Sequence, residues 1–194
     1  MQQAFRGMTL LDYAINASLV LSYVAMRKDD KAGLVTFNEH FDTFVPASKQ
    51  VGQMQTLLEN LYKQETTFGE TDFSALCVHL GKHVNKRSFL MLYTNFSNMT
   101  SLNRQLVYLQ QLARQHRVLV VFFEDADLKE YIAGKPETTE GYYQHVIAEK
   151  FAFEKRLIVS TLKQHGIYSL LTTPDKLSID VINKYLEMKS RQLL

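Results

Sequence analysis

The sequence predicts an α/β protein with a largely parallel sheet, and three observations carry that expectation. From residue 89 onward, short and dense apolar runs alternate with segments whose apolar residues recur every three or four positions. Strand-sized and helix-sized segments in alternation are the pattern of βαβ units. The 194 residues are 46% hydrophobic with only 3 Pro and 8 Gly, which excludes a disordered or linker-rich chain. A chain of this size buries about 70% of its unfolded surface, and residues 1–194 read as a single domain.

The first helix spans Leu10 to Arg27, with Leu11, Ile15, Leu19, Ser22 and Met26 on its inward line and Ala14, Ala17 and Val24 beside them. Thr9 is its N-cap, with Asp12 in the capping-box position. No strand precedes it. Lys28-Asp29-Asp30-Lys31 stops the helix, and Leu34 to Phe37 pairs with Phe41 to Val45 as a hairpin that Pro46 ends. Gln50 to Lys63 is a helix with Val51, Met54, Leu57, Leu58 and Leu61 inward, and Asp72 to Val84 is the next. Phe89 to Tyr93 is a continuous apolar strand, the pattern of a strand covered on both faces. A helix from Leu102 to Gln115 leads to Val118–Phe123, the densest apolar run of the chain. A short helix reaches Tyr131, and a long one runs from about Gly141 to His165, with Gly166 as its cap. Ile167 to Leu171 is the last strand and Ser178 to Arg191 the last helix.

Charge and composition exclude several functions. With 22 Lys+Arg against 20 Asp+Glu the net charge is +2, and no concentrated basic patch points to nucleic acid. The single Cys77 excludes an intramolecular disulfide and a multi-cysteine zinc site, and it suits a reducing compartment. No run approaches the roughly 18 apolar residues of a membrane span, and the N-terminus lacks the shape of a signal peptide. These features describe a soluble, cytoplasmic chain.

In parallel sheets ligands bind beyond the carboxyl ends of the strands. That rule selects Thr94 to Ser97 and Glu124 to Asp127, with the loop carrying Thr71 as a candidate neighbour. Thr71, Thr94 and Asn95 offer hard oxygen donors of the kind a hydrated divalent cation such as Mg²⁺ takes. Thr71 also suits an N-cap, and Asn95 a turn. Glu124, Asp125 and Asp127 could hold Mg²⁺ for phosphoryl transfer, although an acidic first turn accounts for them without a ligand. Cys77 has no histidine at helical spacing and reads as a buried hydrophobe. His79 and His83 share a helix face, but Leu80 stands where a zinc-protease helix needs Glu, and the face reads as solvated and basic. Neither a P-loop nor a G-x-G-x-x-G occurs.

Gly7-Met8-Thr9-Leu10-Leu11-Asp12-Tyr13-Ala14-Ile15-Asn16-Ala17, Lys28 through Phe37, Glu70 through Leu76 and Leu177 through Lys189 together resemble one family. It is the bacterial domain-of-unknown-function family fifty-eight, whose carboxyl-terminal half is von Willebrand factor A-like. The resemblance implies a Rossmann-like sheet, with helices on both faces and one antiparallel edge strand. It also implies a metal-ion-dependent adhesion site built from a D-x-S-x-S loop, a Thr and an Asp. Thr71 matches that Thr, Asn95 stands in place of the Asp, and the first central strand with its D-x-S-x-S loop is absent, so the site is incomplete and the chain reads as N-terminally truncated. Full-length relatives commonly carry membrane-spanning helices, so the parent is expected at the inner membrane.

The function implied is a non-enzymatic adaptor acting with a MoxR-type AAA+ ATPase in assembly or maturation of other proteins. Thr71, Asp72, Thr94, Asn95, Ser97 and Glu124 are its expected partner-binding residues. A Mg²⁺-dependent phosphohydrolase using Glu124, Asp125 and Asp127 is the alternative, and a decayed domain without activity the third.

Overall fold

The computed structural model describes residues 1, 4–39, 41–64, 71–96, 98–124, 126–134, 136 and 138–194. The chain divides into two units, residues 1–88 with 174–194 and residues 89–173.

The first unit opens on a small antiparallel ladder, β1 (Ala4–Phe5) against β2 (Met8–Thr9). Arg6 and Gly7 both have positive φ, 49° and 84°, the geometry of a turn whose twist matches a hairpin. The expectation that no strand precedes the first helix is therefore corrected. Arg6 hides the turn, because arginine is not a residue that usually signals positive φ.

Helix α1 (Leu10–Arg27) has the boundaries its periodicity predicts. The Thr9 hydroxyl accepts from the Asp12 N–H at 3.2 Å, and the Asp12 carboxylate accepts from the Thr9 N–H at 2.8 Å. This is the expected capping box. Ala14 and Ala17, expected beside the inward line, are buried with Leu10 and Ala25, while Leu11, Ile15, Leu19, Ser22 and Met26 are only half-buried. The three buried alanines permit close approach, and α1 packs against α2 (Gln53–Tyr62), β3 (Ala32–Phe37) and α7 (Leu177–Ser190).

Strand β3 pairs antiparallel with β4 (Phe41–Ser48), with Leu34 opposite Val45 and Val35 opposite Phe44. Pro46 does not end the strand, which continues to Ser48 through an irregularity between Ala32 and Leu34. At that bulge the missing N–H of proline costs little. The Gln53 side-chain amide donates to the carbonyls of Ala32 at 2.8 Å and Pro46 at 3.0 Å, tying the bulge to α2. Helix α2 starts three residues later than predicted because Gly52 has φ 91°. Val51 is consequently fully exposed and Leu58 is also exposed, where both were expected inward. Leu57 is buried with Ala32 and Val45, and Leu19, Met26 and Leu34 pack against that cluster. Helix α3 (Phe73–His83) and a 3₁₀ turn (Pro174–Lys176) leading into α7 complete the unit.

The second unit is a parallel sheet of order β5 (Phe89–Tyr93), β6 (Arg117–Phe123), β7 (Tyr168–Thr172). Its helices are α4 (Met99–Gln115), α5 (Ala126–Ala133) and α6 (Thr139–Gln164). Val118 to Phe123 are all buried, as their density predicts. Strand β5 is only half-buried throughout, which corrects the expectation of cover on both faces. It is an edge strand of this sheet, and an apolar run alone does not separate edge from centre. Helix α6 ends as expected at Gly166 (φ 72°). The N–H groups of Gly166 and Ile167 donate to the carbonyls of Lys163 and Leu162, each at 3.0 Å, the pairing that closes a Schellman end.

The molecule is thus mixed α/β, with a three-stranded parallel sheet and antiparallel pairs. Among the described residues, no helix is long and apolar enough to cross a membrane.

Candidate functional site at the carboxyl ends of the parallel strands

Hydrogen bonding carries the ladders one residue past each strand. The Thr94 N–H donates to the Val121 carbonyl at 3.0 Å, and the Glu124 N–H donates to the Thr172 carbonyl at 2.9 Å. Thr94, Asn95 and Glu124 therefore lie at the carboxyl end of one sheet. Phe96 anchors the first loop: it is buried, and its ring meets that of Phe122 edge-on with centroids 6.4 Å apart.

Lys155 of α6 organises this loop. Its ammonium donates to Asn95 Oδ1 at 2.6 Å and to the Phe96 carbonyl at 2.8 Å. Charge-assisted bonds of this length are among the stronger ones in proteins. Sequence reading missed Lys155 because it lies 60 residues from Asn95, on a helix with other lysines. No local signal marks it.

This geometry tests the donor set that the adhesion-site resemblance implies. The Asn95 amide oxygen already receives a cationic donor. A divalent ion about 4 Å from that ammonium would face roughly 8 kcal/mol of repulsion at an effective dielectric of about 20. Among the described residues, no three His, Cys, Asp or Glu side chains group as a metal site. The Asn95 loop, as arranged, does not fit a divalent cation.

Thr71 and Asp72 belong to the first unit. The N-cap role expected for Thr71 falls to Asp72, whose carboxylate accepts from the Ala75 N–H at 3.0 Å. The Asp72 N–H donates to the Asn38 carbonyl at 2.8 Å. Phe73 is buried one residue later, edge-on to Phe37 at 5.4 Å. Ser97 and Asp125 lie outside the described residues, as does the side chain of Asp127.

The remaining candidates resolve into structural roles. Cys77 is buried, and burial pushes its thiol up to about 11, which holds it protonated near neutral pH. The His79 ring stacks on Phe41 with centroids 3.8 Å apart and planes 7° apart, and His83 lies 5.3 Å from Phe44. The solvated basic face expected here holds for His83, Lys82 and Lys86, which are exposed, and is corrected for His79, which is half-buried and packs between α3 and β4.

A second arrangement was also missed. The Tyr185 hydroxyl donates to the Asp30 carboxylate, and the Lys189 ammonium donates to the same oxygen at 2.6 Å and to the Lys28 carbonyl at 3.0 Å. Burial works to raise the Asp30 pKa, but the bonds from Lys189 and Tyr185 and the lysine charge outweigh it and hold the carboxyl below its ordinary 3.8. Two of the sequence blocks that carry the family resemblance meet here.

The chain is a mixed α/β protein in which a lysine holds the Asn95–Phe96 segment at the carboxyl end of a parallel strand. Residues 4–133 match the model of the family described as "Protein of unknown function DUF58", and the chain belongs to that family. No curated protein and no solved structure matches it.

Proposed function

We propose that this chain is a non-enzymatic, von Willebrand factor A-like adaptor domain with a degenerate adhesion site. It presents its strand-end loops to a protein partner without a bridging metal. The partner implied by the resemblance is a MoxR-type AAA+ ATPase, and the task is assembly or maturation of other proteins. The observation that carries the reading is the Lys155 ammonium on Asn95 Oδ1 at 2.6 Å. A fixed cation from the chain orders the loop that an adhesion site would order through its metal. A loop shaped in advance binds with less entropy lost on docking.

The test is binding of the chain to a MoxR-type ATPase of the same genome, measured in Mg²⁺ and in EDTA. Equal affinity in both is expected, with about a tenfold loss for Lys155→Met or Asn95→Ala. Binding that needs Mg²⁺, or that neither substitution weakens, would sink the reading. Turnover of a phosphate ester that requires Mg²⁺ and disappears in Asp125→Asn would favour the phosphohydrolase instead.

A further inference from the structure

Helix α6 is apolar on two sides. One side, with Ala148, Ile158 and Leu162 buried, packs in the second unit, where α6 meets β7, α4 and α5. The neighbouring side, about a quarter-turn round the helix, is open: Tyr143 is 69% exposed, Ile147 54% and Leu157 39%. Helices that are apolar all round are normally covered all round, and contiguous exposed apolar patches mark interaction surfaces.

The open side has an internal symmetry. Tyr143, Ile147, Lys150, Glu154, Leu157 and Thr161 follow alternating steps of four and three, the spacing of a helix–helix seam. Reversing the direction of the chain about residue 152 maps this set onto itself. Tyr143 exchanges with Thr161, Ile147 with Leu157, and Lys150 with Glu154. Phe151 and Phe153, 52% and 59% exposed, flank the centre on either side. Lys150 and Glu154 have no ion-pair partner among the described residues. Within one helix, lysine preceding glutamate by four is also the weaker order of such a pair.

We propose that α6 pairs antiparallel with α6 of a second copy of this chain, about a two-fold axis beside Ala152. Each Lys150 then meets Glu154 of the other copy, and each Ile147 meets Leu157. A charge pair at two seam positions fixes orientation and register, because a parallel or shifted pairing would leave both charges without a partner. Over the 26 residues of α6, a length of about 39 Å, the seam occupies the central part. The interface is isologous, and so it closes as a dimer.

Sedimentation equilibrium of the full chain over a wide concentration range tests this. A concentration-dependent dimer is expected. Lys150→Glu and Glu154→Lys should each weaken association at least about tenfold by placing like charges together. Combining them should restore the parent affinity, since the swap rebuilds both pairs. Circular dichroism of each variant establishes that α6 is intact, and Ile147→Asp gives an independent route to the monomer. A parent that stays monomeric, single reversals that associate as the parent does, or a folded double variant that fails to regain the dimer would each overturn the proposal.

Discussion

His116 closes α4: its N–H donates to the Leu112 carbonyl at 2.8 Å, and the residue is 2% exposed. Burial lowers its pKa below the ordinary 6.5, because the protonated ring would be stranded in a poorly solvating site. A group held neutral in the fold takes up its proton more readily when unfolded. Its contribution is therefore complete above pH 6.5 and is lost as the pH falls below that value. One such group can tilt stability by at most about 1.4 kcal/mol per pH unit. Replacing it in His116→Gln should flatten the acid limb of a urea-unfolding series between pH 6.5 and about 5, relative to the parent. Identical limbs in the two proteins would remove His116 as the cause.

At the scale of elements, Gly33 decides whether the β3–β4 hairpin closes. A Cβ there would lie 2.8 Å from the Ala47 nitrogen and the Val45 oxygen, and both are backbone atoms that a rotamer change cannot move. Gly33→Ala should cost about 1–3 kcal/mol in chemical denaturation, the usual penalty of overpacking. A midpoint equal to that of the parent would show that the bulge can open without loss. The same hairpin shows how far local signals reach. The capping box at Thr9 and Asp12, the Gly166 end of α6 and the buried run Val118–Phe123 were readable because each is specified within a few residues. Pro46 was misread because a proline's effect depends on its partner strand, and the bulge that tolerates it is set by Gly33 across the ladder. The half-burial of β5 was hidden for the same reason, since apolar density does not say which strand is the edge. The candidate site divided along this line. Its place at the strand ends followed from the alternation, whereas the clamp of Lys155 on Asn95 is a contact over 60 residues of chain.

At the scale of the whole chain, the first unit is built from both of its ends, since residues 174–194 join residues 1–88. Bringing segments so distant in sequence together costs closure entropy before any contact repays it. The repayment is mostly apolar: Leu177, Val181, Tyr185 and Met188 of α7 are buried, and α7 packs on α1. Direction comes from Asp30, which receives both Tyr185 and Lys189 across more than 150 residues. The Asp30 and Lys189 side chains are 41% and 36% exposed, so solvent screens the ion pair, and about 0.2–1 kcal/mol is the reasonable scale for it. The folded-state pKa of Asp30 is lowered, so its contribution is present above the ordinary 3.8 and is lost as the pH falls through and below that value. Asp30→Asn should therefore destabilise the chain near neutral pH by about 1 kcal/mol or less, with the gap to the parent narrowing in acid. Amide exchange should locate the loss in α7 and the last turn of α1, because those are the segments the carboxylate holds together. A double-mutant cycle of Asp30→Asn with Tyr185→Phe separates this direct coupling from the packing of the ring. If the two substitutions simply add, the Asp30 contact does not guide the docking of α7, and the apolar face alone positions that helix.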